Sequence, residues 1–145
     1  MKKVAPGSKE SGAALIEFAM LMPLLVILLL GIIEFGWIFS QNNDVRHGAR
    51  EGARLVAVNT ADNTGLHTAI CDSMDLTSGA TVQLTDSANG LAGETGTVQI
   101  VATPGSLSGA NMIEVFLPST LTSTVEFRLE QPSGLWDTDV SPASC

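Results

Sequence analysis

The sequence predicts an α+β protein: a long N-terminal transmembrane α-helix, followed by a short helix and a small antiparallel β-sheet domain. Three observations predict it. Residues 18–39 carry one acid, Glu34, and no basic residue. The apolar stretch then runs, without a stop signal, into a polar segment that keeps a helical period to about residue 58. Beyond residue 65, short apolar alternations are separated by Ser, Thr and Gly. The chain divides on this basis into a leader (1–12), a long helix (13–58) with its membrane span at about 18–39, and an α+β domain (59–145).

Residues 1–12 are polar, with Lys2, Lys3, Lys9, Pro6 and Gly7 and no helical period, and predict a flexible leader. The span that follows is long enough to cross a bilayer: 22 residues rise about 33 Å as a helix, against a hydrocarbon core of about 30 Å. It holds fourteen Leu, Ile, Val or Phe residues, and at roughly −0.3 to −0.6 kcal/mol each these favour insertion by several kcal/mol. Glu34 stands near the far end, where its cost falls below the mid-membrane value. An ordinary cleaved signal peptide has a shorter apolar core and a small-residue cleavage site after it. Ser40-Gln41-Asn42-Asn43 lacks that pair, so the segment reads as an anchor that stays. Pro23 removes one backbone bond and clashes with the carbonyl of Ala19, which predicts a kink or local melting. Gly31 and Gly36 weaken the helix further on.

In the polar half of the helix, Val45, Ala49, Gly52 and Val56 recur on one face, and Arg46, Arg50 and Arg54 form a separate basic stripe. His47 and Glu51 make an i, i+4 pair. Gly48 and Gly52, four apart, allow close approach of another helix. Asn59, Asp62, Asn63 and Gly65 supply the stop. Residues 66–74 predict a short helix with Leu66, Ile70 and Met74 in line. Strand-sized runs follow: Val82 with Leu84, residues 97–103 with Val98, Ile100 and Ala102, residues 112–117, and residues 125–129 with Val125, Phe127 and Leu129. Asn89-Gly90 and Ser108-Gly109 are turn signals. Residues 131–145, with Pro132 and Pro142, predict an irregular tail.

The formal net charge is −8. Residues 13–145 hold four Arg, no Lys and fourteen acids, a net of −10. Phosphate binding needs clustered Lys and Arg, so nucleic acid is not an expected partner. No Gly-rich phosphate loop and no G-x-S-x-G appear, and nothing assembles a nucleophile, a base and an oxyanion hole, so no enzymatic activity is expected. His67 and Cys71 are one helical turn apart, but no second ligand pair follows, only Cys145; neither a metal nor another cofactor is expected. Cys71 and Cys145 leave two readings: a disulfide if the domain is exported, or two free thiols.

Gly12-Ala13-Ala14-Leu15-Ile16-Glu17-Phe18 opens the apolar run. A carboxylate at the head of a membrane span is costly, and Glu17 has two readings. It sits at the headgroup level and complements the helix N-terminus, or it pairs with a cation as neighbouring helices pack. The segment resembles the processing site of type IV pilin precursors. Residues 12–58 are similar to the TadE-like pseudopilins of tight-adherence (Flp-type) pilus systems. The resemblance rests on Gly12 followed by Glu17-Phe18, on Pro23 inside the span, on Glu34-Phe35-Gly36, and on Ala49-Arg50-Glu51-Gly52-Ala53-Arg54. Beyond residue 60 it is only architectural.

The resemblance implies cleavage by a prepilin peptidase at a processing site formed by Gly12, Ala13, Glu17 and Phe18, with Glu17, Pro23 and Glu34 serving subunit packing. Flanking basic residues give only a small preference for a cytoplasmic N-terminus. The leader decides it, because that peptidase acts at the cytoplasmic face. The resemblance thus implies a single-pass protein of the bacterial inner membrane with its C-terminal domain periplasmic, or on a surface pilus after assembly. Its expected partners are the prepilin peptidase, other pilins or pseudopilins, the inner-membrane assembly machinery and membrane lipid. The Arg46, Arg50 and Arg54 stripe meets acidic pilin surfaces or lipid headgroups, or is simply a solvated face. The major pilins of these systems are far shorter, so the additional domain points to a minor pilin acting in pilus assembly, adhesion and biofilm formation. The alternative is a stationary membrane-anchored scaffold of the same machine; a membrane-tethered enzyme or binding module has the least support.

Overall fold

The computed structural model describes residues 10–59, 62–77, 79–86, 91–107, 118–132 and 143–145. The run at 112–117, both turn signals, leader residues 1–9 and tail residues 133–142 lie outside them. In chain order the elements are α1 (Glu10–Ala57), α2 (Asn63–Asp72), β1 (Thr81–Asp86), β2 (Thr95–Ala102), β3 (Leu121–Arg128) and β4 (Ala143–Ser144). This is the expected α+β architecture: a long apolar helix, a short helix and an antiparallel sheet. The chain forms two compact units, Met1–Gly36 and Trp37–Cys145.

In the first unit every described residue is helical. The helix takes in Glu10, Ser11 and Gly12, which the sequence assigns to the leader. It also continues through Pro23, so the predicted local melting does not occur. Pro removes a single bond, and Met20, Leu21, Met22, Leu24 and Leu25 are good helix formers on both sides of it. Apart from Gly31 and Glu34, residues 12–36 are exposed. A continuous apolar surface of this kind on a helix of this length fits a bilayer.

The second unit starts at Trp37, so the last part of α1 is built into the sheet domain. The face predicted from the period is its core: Val45, Ala49, Gly52 and Val56 are buried. They pack in one cluster with Leu66 and Ile70 of α2 and with Val82, Val98, Ile100 and Phe127 of the sheet. A Cβ on Gly48 would lie 2.8 Å from Met74 and 3.2 Å from Ile100, and one on Gly52 would lie 2.8 Å from Ile70. The two glycines thus let α1 approach its own sheet and α2.

Asn59 ends α1 in a left-handed conformation (φ 50°), and its side-chain amide donates to the Pro132 carbonyl at 3.0 Å. Asp62 then caps α2, its carboxylate accepting from the Gly65 amide at 2.8 Å. That cap moves the helix start three residues ahead of the predicted one. Leu66, Ile70 and Met74 are buried in line, as their spacing predicts.

The sheet order is β3-β2-β1-β4, all antiparallel. β2 is the central long strand, with Val98, Ile100 and Ala102 buried and the alternate residues half-buried or exposed. β3 begins at Leu121, four residues before the predicted run. Thr122, Ser123 and Thr124 pair with Val101, Ile100 and Gln99 through the backbone, which their polar side chains do not prevent. The tail, predicted to be irregular, supplies β4. Ala143 and Ser144 pair with Val82 and Thr81, and the Cys145 amide donates to the Ala80 carbonyl at 2.8 Å.

Candidate functional site

The N-terminal turns of α1 hold Gly12, Ala13, Glu17 and Phe18 on one continuous helix. All four are exposed, and nothing lies within 4 Å of where a Cβ on Gly12 would stand. Ala13 and Glu17 are i and i+4, so they lie one above the other on the same helix face. Among the described residues the salt bridge is that of Arg54 with Glu51, so no described cation neutralises Glu17. Pro23 is exposed further along. Glu34 differs: it is 2% exposed. Its carboxylate is expensive to bury in an apolar setting unless it is hydrogen-bonded or paired.

Arg46, Arg50 and Arg54 stand exposed along one face. Arg54 donates to Glu51 through Nε at 3.0 Å and through the guanidinium terminus at 2.5 Å. Glu51 therefore pairs with Arg54 at i+3; the His47 pairing expected at i, i+4 is not its main partner. The Arg54 hydrogen bond holds the Glu51 carboxyl below its ordinary pKa, against a small opposing effect of burial, with lesser help from the charges of Arg54 and His47.

Cys71 and Cys145 are joined in a disulfide, with a Cα–Cα distance of 5.5 Å. His67 lies beside it, Nε2 3.6 Å from the Cys71 sulfur. The ligand atoms of His67, Cys71 and Cys145 all fall within 4.8 Å of one another. With the two sulfurs bonded to each other, neither is the thiolate that binds metal, and only His67 retains a ligand lone pair.

Two positioning residues escape sequence reasoning. Gln41 is 1% exposed and makes a pair of hydrogen bonds with the Gly105 backbone, donating to its carbonyl at 2.7 Å and accepting from its amide at 2.8 Å. Asp44 accepts from the amides of Asp75 (3.2 Å) and Leu76 (3.0 Å) and from the Thr77 hydroxyl (2.9 Å). A signal for the first exists: stepping back four from Val45 reaches Gln41, on the same buried face.

The model of the family described as TadE-like protein matches residues 12–54. The similarity to that family lies along α1. The match begins at Gly12 and ends three residues before α1 does, so α2 and the sheet lie outside it. No curated protein and no solved structure matches the chain. The matched segment includes a helix long and apolar enough to cross a membrane, which fits a membrane anchor.

Proposed function

We propose that this TadE-like protein is a minor pilin or pseudopilin, cut between Gly12 and Ala13 by a prepilin peptidase and then drawn into assembly of a Tad/Flp-type pilus. The observation that carries it is the family match that starts at Gly12, on an exposed apolar helix headed by Glu17-Phe18. The Gly12–Ala13 peptide lies within the first turns of α1, so a peptidase must open the helix there. Glycine makes that opening easier, because it costs a helix interior about 1 kcal/mol relative to alanine.

Cleavage frees the amine of Ala13 one turn from Glu17. An ammonium is the cation that a carboxylate in lipid requires, in the same chain or a neighbouring one. Pairing between chains specifies axial register as helices stack, the best-attested role of a buried ion pair. Head-to-tail packing of such helices generates an open filament. The N-terminus lies in the cytoplasm in this scheme and the sheet unit in the periplasm, where the Cys71–Cys145 bond suits an oxidising compartment. Adhesion and biofilm formation follow from pilus assembly.

Shearing surface fibres from cells and probing them for this chain tests the filament role. Its presence in fibres supports the pilin reading. Its absence from fibres, with full retention in membranes, turns the assignment to a stationary scaffold.

A further inference from the structure

The sheet unit has two ends along α1, and they differ in charge. The Gln41–Gly105 pair sets the end formed by Ala102 and Leu121 beside Gln41. The Glu130 amide, donating to the Ala57 carbonyl at 2.9 Å, sets the other end beside Ala57. Between them Gly48 faces Ile100 and Gly52 faces Val98, so β2 runs antiparallel to α1. The lengths agree: residues 41–57 rise about 24 Å as helix, and residues 95–102 extend about 23 Å as strand.

Asp86, Glu94, Glu126, Arg128 and Glu130 all stand at the Ala57 end. At the Gln41 end, the sequences Thr-Pro-Gly-Ser-Leu (103–107) and Pro-Ser-Thr (118–120) have no ionisable side chain. Asp44 and Asp75 stand about one turn further along α1, with the Asp44 carboxylate taken up by backbone amides. Apolar exposure is distributed the other way. Phe39 (64% exposed) and Leu107 (54%) lie at the Gln41 end, Leu76 lies next to Asp75 at the level of Asp44, and Leu91 lies at the other end. An uncharged hollow of 290 Å³ opens there between Ile38, Pro104, Gly105 and Pro118.

The position of this end along the helix decides what it meets. Gln41 is two residues past Phe39, where the apolar span ends, a rise of about 3 Å. The headgroup layer on each side of a bilayer is about 5–7 Å deep. We propose that the end of the sheet unit led by Leu107 and Pro118 seats on the bilayer surface, so that the lipid headgroup layer is its partner. The inference rests on residues 18–39 being a membrane anchor. The acids at the other end then stand about 17–24 Å along the unit from the seat, beyond a Debye length of about 8–10 Å, so their repulsion by anionic headgroups is largely screened. The exposed Arg46, one turn above the seat, adds attraction to the same headgroups.

Single spin labels on the full chain test this, with the Cys71–Cys145 bond left intact. The chain is reconstituted in vesicles of phosphatidylcholine and phosphatidylglycerol. Labels are attached through Leu107→Cys, Pro118→Cys, Leu91→Cys and, mid-span, Leu28→Cys. Collision rates with oxygen and with a water-soluble nickel chelate are compared. The expected result is lipid-like behaviour at position 28, aqueous behaviour at 91, and nickel access at 107 and 118 reduced several-fold relative to 91. Access at 107 and 118 equal to that at 91, with 28 in lipid, overturns the seating alone. An aqueous result at 28 overturns the anchor and the seating together.

Discussion

Glu17 and Glu34 put two carboxylates on one apolar helix in opposite surroundings, the first exposed and the second buried. Replacing Glu17 by Leu removes a charge worth up to about 3 kcal/mol against insertion, so the variant is expected to enter membranes at least as well as the parent. If Glu17 serves register, Glu17→Leu is nevertheless expected to lose piliation; normal piliation by that variant would refute the register role. Asp44 acts on a different link of the chain, holding residues 75–77 against α1 through three hydrogen bonds. Asp44→Ala is expected to cost about 1.5–3 kcal/mol, the range for hydrogen bonds to a charged group. An unchanged unfolding midpoint would show the bonds to be without net worth. Glu51 supplies the pH-dependent term. Arg54 lowers its pKa, so the pair's contribution is present above the ordinary carboxylate pKa and is lost as pH falls through the depressed value. In Arg54→Gln, the Glu51 carboxyl followed by NMR should titrate at higher pH than in the parent. The stability change should be small, since the pair is on the surface.

At the scale of elements, α1 meets α2 and β2 through Gly48 and Gly52 rather than through larger side chains. Gly52→Val forces branched methyls into Ile70 and Val98 and is expected to destabilise the unit by about 1–3 kcal/mol, read as a lowered Tm. The disulfide ties α2 to the strand pair β1–β4 across a separation of 74 residues. In the chain-entropy model, replacing both cysteines by Ser lowers stability by about 4 kcal/mol. A Tm insensitive to reductant would contradict that.

These elements also mark what the sequence discloses and what it does not. α1, α2 and β2 were legible because Val45, Ala49 and Val56, Leu66 and Ile70, and Val98 and Ile100 repeat at the period of the element they build. The start of β3 and the whole of β4 were not. Thr122, Ser123, Thr124, Ala143 and Ser144 read as turn residues, and only the backbone ladder to a neighbouring strand makes them strand. Gln41 was hidden for a related reason: a polar residue on a buried face is explained only by its distant partner, Gly105. Within the candidate site, the helix carrying Gly12, Ala13, Glu17 and Phe18 was legible from the apolar run, whereas the Glu51–Arg54 pairing depended on rotamers that spacing does not determine.

For the molecule as a whole, the apolar segment that the TadE-like family model matches and a folded unit share one helix, with the last part of α1 serving in the core of the sheet unit. That continuity couples the two ends of the proposal, since a polymerising helix carries its sheet unit wherever it goes. The cation proposed to answer Glu17 is the amine of Ala13, which does not exist until the bond after Gly12 is broken. Cleavage and assembly are then one switch. Intact-mass measurement of the membrane-expressed chain, with and without a co-expressed prepilin peptidase, tests this most directly. The mass of residues 1–12 is expected to disappear only when the peptidase is present. A full-length mass in the presence of active peptidase contradicts it.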